Sequence, residues 1–193
     1  MDNTGLATYG RPADEQYFSV ALASGSPSIP TTATESLTGY DSVRVSDSGI
    51  SPTIDLGKAD PAKDWDMKDV LSAPSKPSST LAVPIIDHSV AAKKLKFGAN
   101  QVQADGSYVF DGTTDEWVVV VTELYNDSNG DPALIQRTVY PRCVPKEISL
   151  GTHKKDELIV DTVTFEVLYD STISGYYKGL KPATTTTTTT TGA

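Results

Sequence analysis

Two histidines, His88 and His153, and one cysteine, Cys143, are the chain's only imidazole and thiol groups for nucleophile–base or metal-ligand chemistry, beside its 25 carboxylates. A general base must reach its substrate and be oriented by a neighbour. His88 opens a short Ala/Lys segment and His153 stands beside Lys154, Lys155 and Asp156, so neither has an orienting partner nearby in sequence. Both read as exposed polar residues. Cys143 can form no disulfide within the chain, and a thiolate zinc site would need several copies, so it reads as a half-buried strand residue. The most suggestive cluster is "YNDSNGDPALIQ" (125–136), where Asp127, Asn129, Gly130 and Asp131 crowd together like a calcium loop. Placing Gly130 at position six of such a loop puts Tyr125 first and Gln136 twelfth, where carboxylates belong. Asn-Gly and Asp-Pro are turn chemistry, and a hairpin turn explains them better. No Gly-x-Ser-x-Gly elbow, P-loop, dinucleotide fingerprint or His-Glu-x-x-His pair occurs in the sequence. The expectation is a protein that is not an enzyme, with no catalytic residue, metal site or cofactor.

The aromatic residues point elsewhere. Trp117 lies inside "EWVVVV" and reads as core, whereas Trp65 sits in "DWDMKDV" among Asp64, Asp66 and Asp69. A large ring in so acidic a loop suits an interface anchor that a neighbouring surface covers.

The elements that would position these residues are mostly strands. At 193 residues the chain is long enough for one domain with a real core, and its 12 Pro and 14 Gly favour short strands and turns over long helices. "QYFSVAL" (16–22) reads as a first strand, after a polar arm over 1–16 that orders on contact with a partner. In "GISPTIDLG" the residues Ile50, Pro52, Ile54 and Leu56 alternate with Ser51, Thr53 and Asp55, and in "SSTLAVPII" Leu81, Val83 and Ile85 alternate with Thr80 and Ala82. Residues 49–87 therefore form one long hairpin with an elaborate tip. Its prolines, at 52, 61, 74, 77 and 84, cannot donate to a ladder, so its strands should gain partners from outside the chain. "DHSVAAKKLKFG" predicts a helix over 88–97, capped by Asp87 or Ser89 and ended by Gly98, with lysines in its last turns opposing the dipole. Further strands are predicted at 107–110, 116–125, 133–142, 144–150 and 157–170, a spacing that indicates a β-sandwich or barrel. The domain would span 17–181, followed by a disordered Thr-rich tail, 182–193.

The formal charge is −9 and no basic stripe exists, which argues against a protein that grips nucleic acid by neutralising phosphates. The N-terminus has no apolar run of leader length, and nothing approaches the roughly 20 apolar residues of a membrane helix. The reading is a soluble protein with no membrane partner.

The order of these features is similar to a known family. "SGIS", then "DWD", then "SSTLAVPIID", followed at once by a short Ala/Lys helix ending in "KFG", resembles the major tail tube proteins of long, non-contractile-tailed bacteriophages. "TVYPRCVPKEISLGTHKKDELIVDTVTFEVLYDSTIS" (138–174) resembles the family's closing strands, and the likeness runs over about residues 40–175. It implies a mostly β domain, a sandwich or barrel with one flanking helix, whose long hairpin joins a barrel shared by several subunits. Such subunits assemble into six-membered rings that stack into a tube in the virion tail, built in the host cytoplasm. The implied partners are further copies of the chain, the tape measure protein, and the tail terminator and distal tail proteins. DNA passes through the channel without tight binding, since a polar, net-acidic wall repels it. Ser51, Thr53, Asp55, Ser78 and Thr80 are the expected lumen-facing residues. Ile50, Ile54, Leu56, Leu81, Val83 and Ile85 are expected to face the subunit body, and Trp65, Met67, Pro74 and Pro77 to meet a neighbouring subunit. The alternative is a virion decoration or cell-surface adhesion domain, with the Thr tract as a stalk.

Overall fold

The structure is a computed structural model that describes residues 6–12, 17–57, 62–63, 69–70, 77–127, 132–152, 155 and 158–180. Its strands are β1 (Leu6–Pro12), β2 (Phe18–Leu22), β3 (Asp41–Ser42), β4 (Ser51–Asp55), β5 (Ala62–Lys63), β6 (Asp69–Val70), β7 (Ser78–Ile85), β8 (Trp117–Asp127), β9 (Pro132–Ser149), β10 (Asp161–Val167) and β11 (Lys178–Leu180). One α-helix, α1 (Val90–Phe97), lies between β7 and β8. The chain is mostly β, as its composition predicts.

All pairings are antiparallel, in the order β3-β2-β8-β9-β10-β7-β4, with β1 added to β8 and β11 to β9, while β5 and β6 pair with each other. The main sheet curls back on itself. Val43 N–H donates to the Phe18 carbonyl on β2, and two residues later Val45 bridges Ile85 on β7, flanked by Ser46 N–H to Pro84 O and Ile86 N–H to Arg44 O. The segment 41–46 thus closes a barrel between β2 and β7.

Alternation fills the barrel. Phe18 and Val20, Leu81, Val83 and Ile85, Trp117, Val119 and Val121, Tyr140 and Cys143, and Val163, Phe165 and Val167 form one buried cluster with Ala92 and Leu95 of α1. The "VVVV" run is apolar at every position because both faces of β8 are covered: Val118 and Val120 pack outside the barrel with Ala33, Leu37, Val139 and Leu180. Buried Arg137 holds that outer layer down, donating from Nε to Thr122 Oγ1 (3.1 Å) and from Nη1 to the Glu35 carbonyl (2.7 Å).

The helix starts at Ser89, whose hydroxyl accepts from Ala92 N–H, and ends where Gly98 takes φ +98° and donates to the Lys94 carbonyl. Lys96 does more than oppose the dipole. It turns inward and meets Asp161 at 2.6 Å, with 3% and 7% of the two side chains exposed. Asp161 also accepts from Gly151 N–H at 2.8 Å. A Cβ at Gly151 would stand 2.5 Å from the Val160 carbonyl oxygen, a backbone atom that cannot swing aside. Gly151→Ala is therefore expected to cost about 1–3 kcal/mol by overpacking, read as a lower urea midpoint at unchanged slope.

Several expectations change. Residues 107–110 form no strand; Tyr108 makes a single bridge to Val102, and its ring lies flat on Phe97 with centroids 4.0 Å apart, so the loop serves the helix rather than the sheet. The two strands expected at 133–142 and 144–150 are one strand, β9, pairing first with β8 and then with β10. Pro141 and Pro145 are tolerated because the register shifts beside each, between Tyr140 and Cys143 and between Pro145 and Glu147, so the ladder is already broken where a donor is missing. Within the arm expected over 1–16, β1 pairs with β8 of its own chain. Cys143 is fully rather than half buried.

Candidate assembly surface

The β4–β7 hairpin emerges from one turn and leaves through another. Gly49 N–H donates to Ser46 O with φ +77°, which delivers the chain into β4, and Gly57 N–H donates to the Asp55 carboxylate (2.9 Å) as the chain departs toward the tip. The register sets Ser51 opposite Ala82, Pro52 opposite Leu81, Thr53 opposite Thr80, Ile54 opposite Ser79 and Asp55 opposite Ser78. Directly paired residues share a face. Ser51, Thr53, Asp55, Ser78 and Thr80 are therefore brought together on one side, while Pro52 and Ile54 lie on the other with Leu81.

The two strands differ in cover. Leu81, Val83 and Ile85 are fully buried in the barrel, whereas all five residues of β4 are exposed, Ile54 at 50% with Leu56 beyond it at 68%. Only Ile50 of the β4 apolar series is half-buried against the core. A groove of about 320 Å³ lies there, lined by Ile50, Pro52 and Ile54 on one bank and Val121, Glu123, Thr138, Tyr140 and Tyr177 on the other. Burial, with Cys143, Tyr177 and Glu123 nearby, pushes the Tyr140 phenol well above its ordinary range, so the groove floor keeps a neutral hydroxyl. Ile54, expected against the body, looks across this groove at β8 and β9 but stays half exposed because the groove is not filled, and Leu56, also expected there, lies beyond the strand and is largely exposed.

Pro77 is exposed, and its carbonyl accepts the Tyr176 hydroxyl at 2.6 Å. Tyr176 packs on the core cluster and edge-on to Tyr169, so it anchors the returning root of the hairpin to the Asp170–Gly175 turn. Sequence reading misses this clamp: its two ends lie 99 residues apart, and "GYYKG" alone gives no partner. Trp65, Met67 and Pro74 lie outside the described residues, as do His153, positions 128–131 of the Asp/Asn turn and the Thr-rich tail.

Chemistry is sparse at this surface. His88 is exposed, and burial raises the Cys143 thiol far above its ordinary value, which removes the thiolate a nucleophile or ligand needs. Among the described residues no three His, Cys, Asp or Glu side chains are grouped to hold a metal ion, and no helix is long and apolar enough to cross a membrane. What the hairpin can do is pair and pack. No protein-family model matches the chain, and no curated protein is similar to it.

Proposed function

We propose that the chain is a structural subunit that polymerises, head to tail, into stacked rings forming the tube of a bacteriophage tail, a conduit for DNA with no catalysis of its own. The observation that carries this reading is β4. It ends the sheet order with one edge unpaired by any described strand, and it combines a polar face in register with β7 and an apolar face lying over an open groove. An edge strand left open is a template for another chain, and one with a half-exposed apolar face is unfinished as a monomer surface. A neighbouring hairpin would complete the ladder; rotation that closes gives a ring, and repetition along the axis gives a tube. The resemblance of residues 40–175 to tail tube proteins supplies the ring number, six. The polar face, with Asp55 its charged residue, then forms the channel wall, in keeping with a net charge of −9.

Negative-stain microscopy and sedimentation of the purified chain test this. Rings or tubes are expected, and a protein that stays monomeric over a wide concentration range contradicts the reading. Ile54→Glu with Leu56→Glu should leave a monomer whose stability is within about 0.5 kcal/mol of the parent, as for other exposed positions, yet which forms no tubes. Loss of folding in that variant would show that the face serves the fold and not assembly.

A further inference from the structure

Nine large apolar side chains are exposed among the described residues, and only Tyr108, Val109 and Phe110 are consecutive, at 48%, 68% and 60% exposure. They sit on the loop between α1 and β8, and that loop is held firmly. Val109 N–H donates to Gln101 O, Gln103 N–H to Ser107 O, Lys93 Nζ to Gly106 O (2.8 Å) and Gln101 Nε2 to Asp111 (2.7 Å). Phe97 supports two of the three, stacked on Tyr108 and edge-on to Phe110 at 6.2 Å. A preorganised apolar knob loses little entropy on docking, which is what an interface anchor needs. Asp105 and Asp111 flank it, each held below the ordinary carboxylate range by its own turn, Asp105 by Ser107 and Asp111 by Thr113, so both stay ionised. Lys93 is the cation beside them.

Elsewhere on the same chain a cavity of about 280 Å³ opens on the outer side of β9 and β11. Ile29, Pro30, Val139, Pro141, Ile173 and Leu180 supply its apolar walls, and the exposed Lys178 is its one charged lining residue. Thr31, also in its lining, engages Glu35, whose carboxylate accepts from the Thr31 N–H and hydroxyl. Knob and cavity are both apolar and differ in charge, the knob flanked by two carboxylates and Lys93, the cavity rimmed by Lys178. No residue that supports the knob lines the cavity.

We propose that the 108–110 knob of one copy seats in the β9–β11 cavity of the next, a heterologous contact separate from the hairpin. This rests on the self-assembly reading, and it adds a second, outer seam that repeats with every subunit. In this seam Asp105 and Asp111 of one copy would pair with Lys178 of the next, which gives the seam a direction.

The test uses thiol cross-linking on the full chain, since Cys143 is buried and silent. Val109→Cys combined with Ile173→Cys, treated with a short bismaleimide, should give a ladder of covalent multimers. A mixture of the two single variants should stop at a dimer, and each single variant alone should give none. Val109→Glu with Phe110→Glu should weaken self-association about tenfold or more, as loss of an anchor does, at unchanged thermal unfolding. Tubes from the parent with no ladder, and glutamate variants that assemble like the parent, overturn the seam and leave the hairpin reading standing. A parent that never assembles overturns both.

Discussion

Lys96→Met is expected to destabilise the protein by about 3–5 kcal/mol at neutral pH, because it leaves the Asp161 carboxylate buried without its charge partner. Burial pushes Asp161 up, but the Lys96 hydrogen bond, the Gly151 N–H, the Lys96 charge and His88 together outweigh it and hold the carboxyl below its ordinary value. In the parent, with the folded value depressed, this stabilisation is present above the unfolded value of about 3.9 and is lost as pH falls through the folded one. Removing Lys96 reverses the sign. Burial is then largely unopposed, the folded value rises, and the variant regains stability as pH falls because a protonated Asp161 carries no charge to bury. Urea unfolding at a series of pH values should show the deficit shrinking as pH falls through the variant's raised value and on through the parent's depressed one, below which both folded proteins bind the same proton. Adding Asp161→Asn to the Met variant should restore most of the loss at pH 7, since the amide oxygen still accepts from Gly151 and no charge remains. A deficit independent of pH would assign Lys96 to packing alone.

That ion pair also marks where sequence reading stops. The helix, its Ser89 cap and its Gly98 end follow from local chemistry, and so do the alternating faces of β4 and β7, because periodicity two is written into neighbouring residues. Lys96 and Asp161 are 65 positions apart, and a lysine in the last turn of a helix already has a sufficient local explanation in the dipole. The same holds for Tyr176 and Pro77. The short strands β3 and β11 carry too few residues for a period, and β11 is defined by pairing with Arg137, Thr138 and Val139 on a strand far upstream. For 107–110 the failure is of another kind. "SYVF" has strand composition, but its aromatic rings lie against Phe97 and solvent instead of in a ladder, and a composition rule cannot separate an apolar loop from an apolar strand. The sequence thus defines the candidate surface at the hairpin, where one strand pair carries it, and leaves hidden the knob and cavity, which distant segments build together.

If the chain builds the proposed tube, Ser51→Lys with Thr53→Lys is expected to convert a conduit that lets DNA pass into one that holds it. Both positions are exposed on the polar face of β4, two residues apart, and Asp55 keeps its hydrogen bond to Gly57, so the hairpin and the tube should form as before. If that face lines the channel, every ring then presents a circle of ammonium groups to the duplex, which carries a negative charge about every 1.7 Å. Tubes assembled in the presence of a short DNA duplex should retain it on pelleting at low salt, where the parent tubes retain none. Contact with 6–10 phosphates implies a fall in affinity of roughly 10³–10⁵ between about 50 and 200 mM salt. Location is read separately. DNA held inside the channel resists nuclease, whereas DNA held by lysines placed at Ser48 and Thr152, which are exposed but off this face, should be digested. Retained DNA that nuclease removes from the Ser51/Thr53 variant would place the polar face on the outside of the tube, and no retention at low salt would remove it from any DNA path. On the tube proposal, retention inside the channel would tie the parent's acidic balance to transport, since a wall that DNA must pass quickly is one to which its phosphates do not bind.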